Sequence, residues 1–120
     1  MTPELKKQLV EKYPKIFKMV GGLDVGDGWY WLLDQLCREL QYNTDKNNHP
    51  QIVAVQVKEK FGVLRFYVNG GIDEQYVIIH FAENLSFSIC EFCGTTKDVS
   101  RLTKNGWMNT LCSSCREKNE

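Results

Sequence analysis

The sequence predicts an α+β fold, and three observations carry that reading. Residues 29–40 hold a leucine-rich stripe at helical spacing. Residues 53–68 hold two runs rich in β-branched and aromatic side chains. Residues 90–115 hold two CxxC pairs on either side of an Asn-Gly dipeptide. Helices packed with a small antiparallel β-hairpin or sheet, followed by a C-terminal four-cysteine ribbon, satisfy all three. The expected division is an α+β core over residues 1–88 and the ribbon over residues 89–120.

The first element expected is a basic helix over residues 3–18. Thr2-Pro3-Glu4 supplies a hydroxyl N-cap, a proline at the first helical position and an acid at the positive end of the helix dipole. Leu5, Leu9, Val10, Ile16 and Phe17 could form its apolar stripe, with Pro14 breaking or tightening it near Tyr13. Gly21-Gly22 and Gly26-Asp27-Gly28 then read as a flexible connection. The second helix spans 27–42, with Asp27 as its N-cap. Trp29, Leu32, Leu33, Leu36 and Leu40 share one stripe with Cys37 at its edge, while Asp34, Gln35 and Arg38 lie opposite. Cys37 fits a small buried hydrophobe.

Residues 43–50 (NTDKNNHP) read as loop by composition. A β-hairpin follows over 51–69: Val53, Val55 and Val57 alternate, Val63 to Val68 form the second run, and Phe61-Gly62 sits at the turn. Residues 73–88 are ambiguous between strand and helix. Their spacing favours a helix capped by Asp73, because Ile78, Phe81, Ala82, Leu85 and Ile89 fall on one face.

The cysteine spacing is the strongest chemical signal. Cys90 and Cys93, then Cys112 and Cys115, give CxxC pairs separated by eighteen residues, within the range of a four-cysteine zinc site. Each CxxC turn aims two thiolates at one point, and four thiolates at about 2.3 Å satisfy tetrahedral zinc. Gly94 eases the first turn, and Lys104-Asn105-Gly106 joins two short β-runs as a hairpin. A redox CxxC would sit alone between a strand and a helix, and disulfides would need an oxidising compartment. One structural zinc per chain is therefore expected, with no open coordination position for substrate.

The composition is that of a globular chain: 120 residues, 42% hydrophobic and 25% charged. No apolar run approaches the ~20 residues of a membrane span, and the N-terminus lacks a signal-peptide pattern, so a cytoplasmic protein is expected. Net charge is zero but uneven, at +3 over residues 1–18, −4 over 19–87 and +1 over 88–120. A protein that tracks nucleic-acid phosphates usually shows a clear basic excess.

No Ser/His/Asp set, Gly-rich phosphate loop or HExxH motif occurs, so no enzymatic activity is expected. His49 and His80 have no partners at ligand spacing. Phe61-Gly62-Val63-Leu64-Arg65-Phe66 partly matches an RNA-recognition strand, but its phenylalanines fit core positions better. The ribbon offers Lys97, Arg101, Lys104 and Trp107, a set that could hold a single nucleic-acid strand by charge and stacking. The favoured expectation places Trp107 in the ribbon's small core instead. Trp31 falls on the polar side of the second helix beside Arg38, where it is either covered by another segment or exposed as a partner anchor.

The stretches GDGWYWLLDQLC, VKEKFGVLRFYV, HFAENLSFSICEFCG and NGWMNTLCSSC occur in that order. Together they resemble a family of small phage- and prophage-encoded proteins with a CxxCG…GW…TLCxxC tail, generally without assigned function. The resemblance covers about residues 25–115. It implies a phage setting, a helix before the first CxxC and a terminal zinc ribbon, and it brings no catalytic residues. The expected function is a non-enzymatic zinc-binding protein, a phage accessory factor acting on a host protein. The alternative is a nucleic-acid-binding module that uses the ribbon.

Overall fold

The computed structural model of the chain describes residues 1–118. Helix α1 (Pro3–Lys12) leads to a short strand β1 (Leu23–Asp24), a 3-10 turn (Asp27–Trp29) and helix α2 (Tyr30–Asn47). Strands β2 (Val53–Lys60) and β3 (Val63–Asn69) follow, then helix α3 (Asp73–Leu85) with a 3-10 turn over Ser86–Ser88. Strands β4 (Val99–Lys104) and β5 (Trp107–Cys112) and helix α4 (Ser113–Lys118) complete the described chain. The fold is α+β. One sheet has the order β1-β2-β3, with β1 parallel and β3 antiparallel to β2, and the other is the β4-β5 hairpin.

The core is built as the leucine stripe requires. Trp29, Leu32, Leu33, Leu36, Cys37 and Leu40 are all buried and pack with Val57, Leu64 and Phe66 of the sheet. Burial pushes the Cys37 thiol well above its ordinary pKa, as befits a cysteine used as a small hydrophobe.

Several boundaries differ from those the sequence suggests, each for a physical reason. The first helix stops at Lys12, not residue 18. Tyr13 precedes a proline and is excluded from helical angles, adopting φ −128° and ψ 62°. Ile16 and Phe17 are still buried, but from a turn whose Ile16 carbonyl accepts the Ala54 N–H at 2.8 Å. Leu9 is the buried residue of α1, while Val10 is exposed. The Thr2 hydroxyl makes no cap; its N–H donates to Asp27 Oδ1 at 2.7 Å, so Asp27 serves the chain start and does not cap α2.

Helix α2 continues through Asn47, across the stretch that reads as loop. Asn43 is buried there and bonded to His49 Nδ1 at 2.5 Å, and Asn48 ends the helix in the left-handed region that asparagine tolerates. Helix α3 is capped from Ile72, whose N–H is accepted by Gln75 Oε1 at 3.1 Å, not by Asp73. Its buried residues are Gln75, Ile79, Ala82 and Glu83, roughly a quarter turn from the expected stripe. Phe81 is consequently 66% exposed. The rotation follows from the edge of β3, where Glu83 Oε2 accepts the Phe66 N–H at 2.9 Å and Ser86 Oγ accepts the Leu64 N–H at 3.0 Å. These bonds satisfy donors that a sheet edge would otherwise leave open to a further strand.

The β2–β3 turn has Phe61 and Gly62 both at positive φ, the pattern of a two-residue hairpin matched to strand twist. Its two carbonyls are taken by the second hairpin. Arg101 Nε donates to the Phe61 oxygen and Thr110 Oγ1 to the Gly62 oxygen, both at 2.6 Å. Among the described residues no helix is long and apolar enough to cross a membrane.

Candidate metal centre

Local backbone chemistry brings the four expected cysteines together. Cys90 enters a tight turn in which the Gly94 N–H donates to the Cys90 carbonyl, and the Cys90 N–H donates to the Thr95 carbonyl, each at 2.9 Å. Gly94 sits at φ +80°, where a side chain would be strained. On the other arm, Cys112 closes β5 and Cys115 lies in the first turn of α4, with its N–H directed at Cys112 Sγ at 3.4 Å. Asn105-Gly106 forms the expected turn at φ 52° and 82°, pairing Lys104 with Trp107 and Val99 with Cys112.

The result is four Sγ atoms within 4.8 Å of one another. Cys93 Sγ and Cys112 Sγ are 3.7 Å apart, and among the described residues no cysteine is joined in a disulfide. A tetrahedron with metal–sulfur bonds of about 2.3 Å has edges of about 3.8 Å, so this donor set fits a tetrahedral ion. Four thiols so close cannot all ionise without a cation between them. Burial opposes ionisation of Cys90, but N–H groups of Cys112, Cys93 and Phe92 outweigh it and bring its pKa down to about 7. Cys115 is driven the other way, to about 12, by burial and by the neighbouring thiols. A divalent cation would remove that conflict by stabilising every thiolate at once.

The centre is fastened to the helical core by a contact that the sequence reading missed. Gly26 and Gly28 are not a flexible connection; they lie against the first cysteine turn. The Gly28 N–H donates to the Glu91 carbonyl at 2.8 Å, and the Gly26 N–H donates to Glu91 Oε2 at 2.9 Å. A Cβ on Gly28 would lie 2.1 Å from the Cys90 carbonyl oxygen, and one on Gly26 2.3 Å from the Glu91 carbonyl oxygen. Trp29 is fully buried and its Nε1 donates to the Ile89 carbonyl at 2.9 Å. Burial raises the Glu91 carboxyl above its usual range despite the Gly26 bond. The available signal was a glycine on each side of Asp27 directly before a tryptophan, a spacing suited to close backbone approach.

The other candidate residues are dispersed. Trp31 is 61% exposed and is no part of the core, and Arg38 is exposed on the same side of α2. Trp107 is 72% exposed, so it does not fill the hairpin core; that place belongs to Leu111, with Cys90 and Cys112. Trp107 pairs with Lys104 at the turn. Arg101 is engaged with the Phe61 carbonyl and lies 5.4 Å from the centre of the Phe87 ring. Lys97 is exposed beside the first cysteine turn. In the stretch resembling an RNA-recognition strand, Phe66 is buried as expected, with Leu64 beside it, whereas Phe61, expected in the core, is exposed because it sits in the turn.

Protein-family models, curated proteins and solved structures give no match to this chain.

Proposed function

We propose that Cys90, Cys93, Cys112 and Cys115 hold one structural zinc ion per chain in a zinc ribbon, and that the folded protein is a non-enzymatic binding protein. The observation that carries this reading is the compact tetrathiol cluster, with its 3.7 Å Sγ–Sγ separation. Four soft thiolates in tetrahedral array suit zinc, and they close its coordination sphere, leaving it no place to activate water. A metal used in this way makes a rigid surface, and Trp31 stands exposed on the adjoining core. Following the phage resemblance, the partner is a host protein met in the host cytoplasm.

Elemental analysis of freshly reduced protein is expected to find one zinc per chain, and absence of metal overturns the site. A pull-down from bacterial lysate with and without nuclease tests the binding class. Partners that survive nuclease support protein binding, and their loss overturns it.

A second reading has its own observation: Trp107, exposed beside Lys104 at the hairpin tip, could stack on a base of a single strand. The absence of net charge weighs against it. Nonspecific binding to arbitrary DNA is expected to be weaker than the ~10⁻⁴–10⁻⁶ M of typical nonspecific binders. A submicromolar affinity would reverse the ranking of the two readings.

A further inference from the structure

We infer that Cys93 is the peroxide-reactive sulfur of the metal centre, and that its oxidation closes a Cys93–Cys112 disulfide and expels the zinc. The inference rests on the proposed zinc reading and adds a redox modification site to it.

The four sulfurs are not equally sheltered. Cys90 and Cys112 are 0% and 4% exposed, Cys115 is half-buried, and Cys93 is exposed. Cys93 also borders two clefts. One, of about 390 Å³, separates it from Tyr30 and Trp31 at the start of α2. The other, of about 350 Å³, runs past both cysteine turns to α4 and is bordered by Cys112 and Cys115 as well. Hydrogen peroxide is small enough for either. It is also uncharged, so Lys97, Asp98 and Lys118 around the second cleft and Asp27 in the first neither steer nor bar it.

A zinc-bound cysteine is held as thiolate, the form that attacks. The metal therefore makes four nucleophiles, and exposure selects among them. Cys93 sulfur attacks one peroxide oxygen: an S–O bond forms, the O–O bond breaks, and the departing hydroxide takes up a proton as water. Peroxide gains two electrons, and Cys93 loses them to become a sulfenic acid, which condenses with a neighbouring thiolate. Cys112 Sγ is that neighbour, 3.7 Å away on the opposite arm of the ribbon. Its attack forms the S–S bond, breaks the S–O bond and releases a second hydroxide, which also becomes water. Two thiolates, one peroxide and two protons thus give one disulfide and two waters. Cys90 and Cys115 remain, too few to complete a tetrahedron, and the zinc leaves. A disulfide of this kind is transient in a reducing compartment, as a redox-sensing one must be.

The test treats zinc-loaded full chain with a small excess of hydrogen peroxide. A colorimetric chelator reads released zinc, and non-reducing peptide mapping finds the joined sulfurs. One zinc is expected to leave per disulfide formed, with free thiols falling from five to three and Cys93 linked to Cys112. Dithiothreitol with added zinc should restore the starting state. Cys93→His keeps a four-ligand set that zinc accepts and removes the reactive sulfur, so it should slow zinc release at least ~10-fold. Substoichiometric N-ethylmaleimide should label Cys93 ahead of the other three ligands, and this decides the reactive sulfur even if Cys93→His takes up no metal. Retained zinc, release without the Cys93–Cys112 linkage, first labelling of another ligand, or wild-type release from zinc-loaded Cys93→His each overturns the inference. Elemental analysis before peroxide is added separates the two readings. A chain purified without metal fails both, whereas a zinc-loaded chain that resists peroxide refutes only the redox site.

Discussion

Between Leu9 and Ile89 the chain buries one continuous apolar cluster, fed by α1, α2, α3 and the three-stranded sheet. Beyond it, the buried cluster consists of Cys90, Leu111 and Cys112, with Val99 and Cys115 packed at its margin. The two clusters adjoin in sequence at Ile89 and Cys90. They differ in what holds them. The first has tryptophan, leucines and valines enough to fold by removing apolar surface from water, at ~1.5–3 kcal/mol for each large side chain. The second has one leucine and thiols, far less than a small domain needs. A two-stranded hairpin alone is marginal in water. On the proposed metal-bound reading the hairpin would depend on two things that the core does not need, a metal among its thiolates and the docking surface beneath its first turn.

Removing the metal separates the regions most sharply. Structural zinc contributes ~10–16 kcal/mol of apparent binding free energy in zinc-finger peptides, as much as the whole stability of a typical domain, ~5–15 kcal/mol. Chelation is expected to abolish amide protection over residues 90–118 while helical signal from α2 and α3 survives. Hydrogen exchange with and without chelator measures this. Uniform loss of protection in both regions would show that the core also depends on the metal, and would collapse the comparison.

A smaller perturbation tests the joint. Gly28→Ala puts a methyl carbon where the Cys90 carbonyl oxygen and the Gly94 nitrogen already lie, 2.1 and 2.6 Å from the ideal Cβ. Backbone must move on one side. Overpacking of this kind costs ~1–3 kcal/mol, and the hairpin, with the smaller cluster, should yield first. The expected signature is faster metal loss to a competing chelator with the core's melting transition less changed. An equal shift of both would mean that the two regions unfold as one unit.

The same contrast decides what could be read from the sequence. Trp29 to Leu40 announced their burial because a helix repeats its face every few residues, and most of that face ended in the core. The cysteines announced their site because ligand spacing is local, and Asn105-Gly106 announced the hairpin because a turn is local. What escaped was set by distant partners. The face that α3 buries depends on the bare edge of β3, whose N–H groups call for Glu83 and Ser86. The end of α2 depends on His49 folding back onto Asn43. Gly26 and Gly28 looked flexible because the sequence does not say that Cys90 and Glu91 press on them. Trp107 was assigned to a core because its size suggested burial, yet the hairpin's small core is filled by Leu111, Cys90 and Cys112.

The smallest effect expected lies inside the larger region, where α1 is pinned to α2. Tyr13 Oη donates to Asp34 Oδ1 at 2.6 Å, and Lys12 Nζ lies 2.8 Å from the same oxygen. Burial works to raise the Asp34 carboxyl, but the bonds from Lys12 and Tyr13 prevail and hold it below its ordinary value. A carboxyl lowered by folding stabilises the native state above its unfolded pKa, and that contribution disappears as pH falls through the folded one. Tyr13 is raised, by burial first and by Asp34 second, so its hydroxyl keeps donating past the pH at which a free tyrosine ionises. Tyr13→Phe removes one donor and should cost ~0.5–1.5 kcal/mol. It should also move the Asp34 pKa upward, so that the acid limb of the stability curve begins at higher pH. Denaturant melts of both proteins across the acid range measure the two effects together. The hairpin should be untouched, since Asp34 and Tyr13 belong to the core's own interior contacts. If Tyr13→Phe loosened the metal as much as Gly28→Ala does, the joint at Gly28 would not be the boundary between two modes of folding.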